Sequence, residues 1–103
     1  MKRLCPRIDW CKSSGDFTVA DLSHWFDRPY HTVWFWVNEA REPRGSAGQR
    51  KLTIRRLELL EQAIKAKRGL PIPVELTQFE RPDYIKRLRH GLEASGVSKG
   101  RSS

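Results

Sequence analysis

The sequence predicts an all-α domain in which two short helices fold across a tight turn and are followed by a long helix, a proline-rich extended strap and a C-terminal helix. Three observations carry that prediction. Apolar residues recur at spacings of three and four, which is the repeat of one helical face, over residues 19–26, 50–67 and 80–94. A break at Asp27 and Arg28 is followed at once by Pro29, a residue suited to opening a new helix. Pro71 and Pro73 then rule out an interior helix over 70–76.

Residues 1–15 combine Pro6, Ser13, Ser14 and Gly15 with Leu4, Ile8 and Trp10, which predicts an irregular N-terminal arm with room for one helical turn at 8–12. The helical domain is expected over 16–94. Asp16 or Thr18 supplies an oxygen for the exposed N–H groups of a first turn. With Thr18 in that place Asp21 stands third in the helix, close to a capping box with Asp in place of Glu. Val19, Leu22, Trp25 and Phe26 then turn one face inward. Pro29 drives Arg28 out of helical backbone space, so the two helices are separated by a sharp break.

The second helix is expected over about 29–40. Val33, Trp36, Val37 and Ala40 fall on its inner face, and Tyr30, His31, Trp34, Asn38 and Arg41 on its outer face. Phe35 lies between the two sets. One neighbour cannot bury all of Trp34, Phe35 and Trp36: either Trp34 or Phe35 is exposed for a partner, or the N-terminal arm folds over them. Residues 42–49, with Pro43, Gly45, Ser46 and Gly48, read as an adaptable or disordered loop. They lack the alternating apolar residues of a β-hairpin.

In the long helix over 50–67, Ile54, Leu57, Glu61, Ile64 and Arg68 trace a line that Leu60 widens into an apolar stripe, with Gly69 and Pro71 ending the helix. The stripe is expected to pack across the two short helices. The alternative is a homodimer seam, for which fewer than three heptads leave little length. The strap at 70–76 is expected to lie back over the core through Leu70, Ile72, Val74 and Leu76. Tyr84, Ile85, Leu88 and Leu92 form the inner face of the last helix, with Arg81, Lys86, Arg87, Arg89 and His90 outside, and residues 95–103 read as a loose tail.

A chain of 103 residues makes one small domain, in which ten aromatic residues carry much of the core. Its formal charge of +8 favours polyanionic partners. The charge is unevenly placed: residues 16–40 sum to −3, whereas 41–68 sum to +6. Phosphate contacts are therefore expected from the segments that flank the second short helix. Cys5 and Cys11 follow no secretory signal, which points to a reduced, cytoplasmic setting. Cys-x5-Cys with His-x6-His, taken with His24 and His31, is not a familiar zinc spacing, so no metal or cofactor is expected. No stretch approaches the roughly 20 apolar residues that span a bilayer. His24, His31 and His90 stand at no triad spacing, and there is no phosphate-cradling glycine loop, so no enzymatic activity is expected.

Two short helices across a tight turn outline a helix-turn-helix over 18–41, and the run DLSHWFDRPYHTVWFWV resembles the helix-turn-helix family of bacterial and phage DNA-binding regulators. That family usually has a Leu, a small residue ahead of the turn, a Val in the second helix and a Trp soon after, roles that fall here to Leu22, Ser23, Val33 and Trp36. It usually has Gly and then an apolar residue in the turn, where this chain has Asp27 and Arg28. The match covers about 20 residues, and the rest of the chain looks like small DNA-binding proteins of phage and prophage genomes. The resemblance implies sequence-specific double-stranded DNA binding, with the helix at 29–40 in the major groove. Tyr30, His31, Trp34 and Asn38 would then face base edges, Arg28 or Arg41 would reach guanine or phosphate, and Thr32 a phosphate. Arg44, Arg50, Lys51, Arg55 and Arg56 are the expected backbone contacts. Transcription regulation is the leading expectation. The alternatives are a protein-interaction or assembly module that uses the exposed aromatics, and a small terminase-like DNA-packaging subunit.

Overall fold

A computed structural model describes residues 3–67 and 72–101, with side chains described as far as Ala94. Among the described residues the chain is all-helical: α1 (Cys5–Gly15), α2 (Val19–Phe26), α3 (Tyr30–Asn38), α4 (Ala47–Ala66) and α5 (Arg81–Arg101). No helix in them is long and apolar enough to cross a membrane.

The N-terminal segment is a helix and not the irregular arm expected. Pro6 sits in the first turn of α1, where a missing N–H costs nothing, and Gly15 is its last residue, so the apparent breakers mark the ends of a helix. Cys5, Ile8 and Cys11 are buried on one face, a stripe that emerges only when cysteine is counted as a small apolar residue. Gly15 has a packing reason: a Cβ there would run into the Phe17 ring.

The turn chemistry of the next two helices follows the sequence closely. Asp21 N–H donates to Thr18 Oγ1 and Thr18 N–H to the Asp21 carboxylate, both at 3.1 Å, which completes the capping box. Asp27 ends α2 in the left-handed conformation with φ 56°, and it and Arg28 return their N–H groups to Ser23 O. Asp tolerates that conformation better than most residues, and so stands in for glycine. α3 ends at Asn38 and not at Ala40. Arg41 N–H reaches back to Phe35 O while Ala40 takes φ 54°, which turns Ala40 out to solvent and away from the inner face assigned to it.

The core gathers Ile8 and Cys11 of α1, Leu22, Trp25 and Phe26 of α2, Val33 and Trp36 of α3, Leu57, Leu60 and Ala63 of α4, and Ile85 and Leu92 of α5. α2 is the central element and packs against α3, α4 and α5. Phe26 meets Trp36 edge to face at 5.6 Å between ring centres, a favoured aromatic geometry. Trp25 buries its indole fully and satisfies its N–H on Arg56 O at 2.9 Å.

α4 begins at Ala47, inside the stretch expected to be a loop, because Ser46 and Gln49 form a second capping box. Its apolar stripe packs against α1, α2 and α5, so of the two short helices it was expected to cross it meets α2, and α1 and α5 complete its cover. In the strap, Ile72 is buried and Leu76 half-buried, but Val74 is 91% exposed and does not lie on the core. Leu70, with Arg68, Gly69 and Pro71, lies outside the described residues. α5 continues to Arg101, through most of the segment expected to be a loose tail; Gly96 and Gly100 lower helix propensity but no proline stops the helix. Ser102 and Ser103 lie outside the described residues.

Candidate nucleic-acid interface

Among the described residues the outer face of α3 is exposed. Tyr30 is 55% and Trp34 37% exposed, one helical turn apart, and His31 and Asn38 are exposed beside them. Of the consecutive aromatics, Trp36 is buried and Phe35 is half-buried. The N-terminal segment packs as α1 against α3 and α4, with Leu4, Cys5 and Ile8 in the core, and leaves Trp34 partly exposed.

Along one flank of this face runs an open groove of about 530 Å³. Thr32, Phe35 and Trp36 of α3 form one wall, Arg28 enters from the turn before α3, and Arg41, Glu42 and Arg44 come from the segment after it. The Arg41 guanidinium lies 4.3 Å over the Phe35 ring, which holds the cation at the groove and covers part of the aromatic surface. Among the described residues Arg28 and Arg44 make no side-chain hydrogen bond or ion pair, and Arg28 Nε is buried without an acceptor.

The segment after α3 is held in place by hydrogen bonds, where an adaptable or disordered loop was expected. Glu42 accepts hydrogen bonds from Leu4 N–H at 2.7 Å and Cys5 N–H at 3.0 Å, and so caps α1, whose own N-terminal residue offers no capping side chain. The Cys5 thiol donates to Arg41 O at 3.0 Å, Arg3 donates to Ala40 O, and Arg50 donates to the carbonyl of the buried Pro43. These partners stand up to 38 residues away, and no local pattern announces them. Burial is the first cause that pushes Cys5 and Cys11 up to about 12, so neither thiol is a ready nucleophile.

Glu42 titrates below the ordinary carboxylate value. Burial by itself would raise it, but the N–H groups of Leu4 and Cys5, the Cys5 thiol and the charge of Arg3 outweigh burial. A carboxylate depressed in the folded state contributes stability that is full above its unfolded value and is lost as pH falls through the folded one. Glu42→Gln is therefore expected to cost about 1 kcal/mol at neutral pH, as loss of an N-cap does. The difference in melting temperature from the parent chain should shrink as pH falls below the ordinary value of 4.5. A difference unchanged between about pH 7 and about pH 3 would show that the carboxylate charge has no part in the cap.

The remaining expected DNA-facing residues divide. Arg28, Thr32, Arg41 and Arg44 are brought together at the groove, and Tyr30, His31, Trp34 and Asn38 share the outer face. Asn38 Nδ2 donates to Trp34 O at 3.1 Å, an exposed bond that leaves the side-chain carbonyl oxygen available to a ligand. Lys51 and Arg55 are exposed on α4, opposite the buried Thr53 and Leu57, and do not line the groove. Arg50 is half-buried and committed to Pro43 O.

Arg56 is not placed to reach a phosphate. Its Nη1 donates to Phe26 O at 2.9 Å, its Nε lies 3.8 Å from Glu93, and its side chain is only 15% exposed. Burial, with the nearby Arg89 charge, shifts its titration downward. Beside it Arg89, expected on the outside of the last helix, is buried and donates through Nη1 to Trp25 O at 2.7 Å and His24 O at 3.3 Å. Two guanidiniums from α4 and α5 thus satisfy the last three carbonyls of α2, just ahead of the turn that launches α3.

No family model matches this chain, and neither a curated protein nor a solved structure matches it.

Proposed function

We propose that this chain is a sequence-specific double-stranded DNA-binding protein in which α2 and α3 act as a helix-turn-helix and α3 enters the major groove, as in phage-type transcription regulators. One observation supports this reading above the others: the uncovered face of α3, carrying Tyr30, His31, Trp34 and Asn38, adjoins a groove lined by Arg28, Arg41 and Arg44. Hydrogen-bonding and aromatic groups on an exposed helix face can read base edges, while guanidiniums beside it hold phosphates. The local negative charge of residues 16–40 does not oppose this as strongly as the sequence suggests, because Asp21 is buried and paired with Arg81 at 2.7 Å.

Binding is expected to weaken steeply with salt. If three phosphates are engaged, each contributes a slope of about −0.9 in log affinity against log salt, which amounts to about 40-fold between roughly 50 and 200 mM. Fluorescence anisotropy with labelled duplexes measures this, and a flat response rules the reading out. Asn38→Ala is expected to change preference between duplex sequences more than mean affinity, and an equal loss on all sequences would remove it from base readout.

A protein-interaction or assembly role, including that of a DNA-packaging subunit, is favoured by a different observation, the adjacent exposure of Tyr30 and Trp34. Sedimentation of the free chain separates a monomer or homodimer from a ring-sized assembly.

A further inference from the structure

We infer that the groove beside α3 is the seat of one phosphodiester strand of the duplex, and that the cations on α4 are not. This inference rests on the DNA-binding reading above and says which surface carries the backbone.

Helix geometry sets the arrangement. At 3.6 residues per turn, Tyr30, Trp34, Asn38 and His31 occupy one sector of α3, and Phe35, Thr32 and Trp36 follow in the next, ahead of the buried Val33. The groove therefore lies immediately to one side of the outward sector, where a backbone strand runs when a helix is seated in the major groove. The opposite flank of α3 turns into the core through Val33 and the half-buried Val37.

Charge points to an anion. Three guanidiniums line the groove against one carboxylate, and Glu42 is already occupied by two backbone N–H groups of α1. Among the described residues Arg28 and Arg44 have no side-chain acceptor, and the Arg41 guanidinium is engaged by the Phe35 ring alone. Thr32 adds a hydroxyl donor on the same wall. The arginine fork matches phosphate oxygens in pairs, which suits it to a phosphodiester.

Shape points to a repeating anion. Arg28 precedes α3 and Arg41 and Arg44 follow it, so the cations converge on one groove from both ends of a nine-residue helix, with the Arg41 guanidinium carried back over the Phe35 ring. A strand of backbone running along the groove engages all three. By contrast, Arg50 and Arg56 are spent on Pro43 O and Phe26 O, and Lys51 and Arg55 project from α4 without lining the groove.

The test measures affinity of the full chain for two labelled duplexes of unrelated sequence across a salt series. It compares the parent chain with Arg44→Glu, with the pair Arg28→Gln and Arg41→Gln, and with the pair Lys51→Glu and Arg55→Glu. Arg44 is exposed and makes no side-chain hydrogen bond or ion pair with the described residues, so Arg44→Glu keeps the test open if the Arg28 and Arg41 pair fails to fold. The groove variants are expected to weaken both duplexes alike and to flatten the salt slope by about 0.9 for each phosphate no longer engaged, with the Lys51 and Arg55 pair leaving the slope unchanged. Flattening by the α4 pair alone would overturn the inference while leaving DNA binding intact. Absence of duplex binding by the parent chain would overturn both.

Discussion

Arg81→Ala is expected to destabilise the protein by about 3 kcal/mol, because it strands a buried carboxylate. Asp21 is 2% exposed, and its oxygens accept Arg81 Nε at 2.7 Å, Arg81 Nη2 at 2.8 Å and Thr18 N–H at 3.1 Å. The bidentate geometry joins the first residue of α5 to the first turn of α2 across 60 positions of sequence. Taking away the guanidinium leaves Thr18 N–H as the acceptor's remaining described donor, and burial makes that deficit expensive. The side chain of Arg81 is 27% exposed, so water reaches part of the vacated site and keeps the loss at the lower end of the range for buried pairs. Urea denaturation measures it. Asp21→Asn combined with Arg81→Met should recover much of the loss, since neither position then holds an unpaired charge. A single Arg81→Ala chain as stable as the parent would show that the pair adds nothing beyond the capping box.

Arg89→Ala is expected to cost a similar amount, about 3 kcal/mol, through a different route. The residue is 5% exposed, and loss of its side chain removes donors from Trp25 O and His24 O and opens a space between α5 and α2. A cation at a helix C-terminus also interacts favourably with the aligned peptide dipoles. Arg56 donates to Phe26 O and leaves the other two carbonyls to Arg89. Arg89→Met refills most of the volume, so the gap between the alanine and methionine variants separates packing from the missing hydrogen bonds. Lys86→Ala, at an exposed position of the same helix, is the control and should lie within about 0.5 kcal/mol of the parent. An Arg89→Ala chain no less stable than that control would show that the arginine clamp does not hold α2 to α5. Because these carbonyls immediately precede Asp27, loosening them is also expected to free the direction of α3 and to weaken any duplex binding more than the stability loss alone predicts.

What could be read from residues was mostly local. The helix at 19–26, the start of the last helix, the Thr18 and Asp21 box, and the break at Asp27 to Pro29 all depend on groups within four positions of one another, and all stand in the structure, although the last helix runs on to Arg101. The same local rules hid α1, where Pro6 and Gly15 look like breaks inside a segment and are its two ends. They also set Ser46 in a loop when its hydroxyl starts a helix. On the candidate site, the outer face of α3 followed from periodicity, and Arg28, Thr32, Arg41 and Arg44 do meet beside it.

The order of residues was enough to say where α2 and α3 begin and how the N-terminus of α2 is capped, since period, capping oxygens and proline act over a single turn of chain. Which charges are free was settled only by packing. Arg56 and Arg89 look like any other solvated arginine until α2, 30 or more residues away, presents bare carbonyls to them, and Glu42 looks like a loop acid until α1 offers its uncapped N–H groups. A long charged side chain takes its partner from the elements packed around it, and so its role is fixed only once the chain has folded.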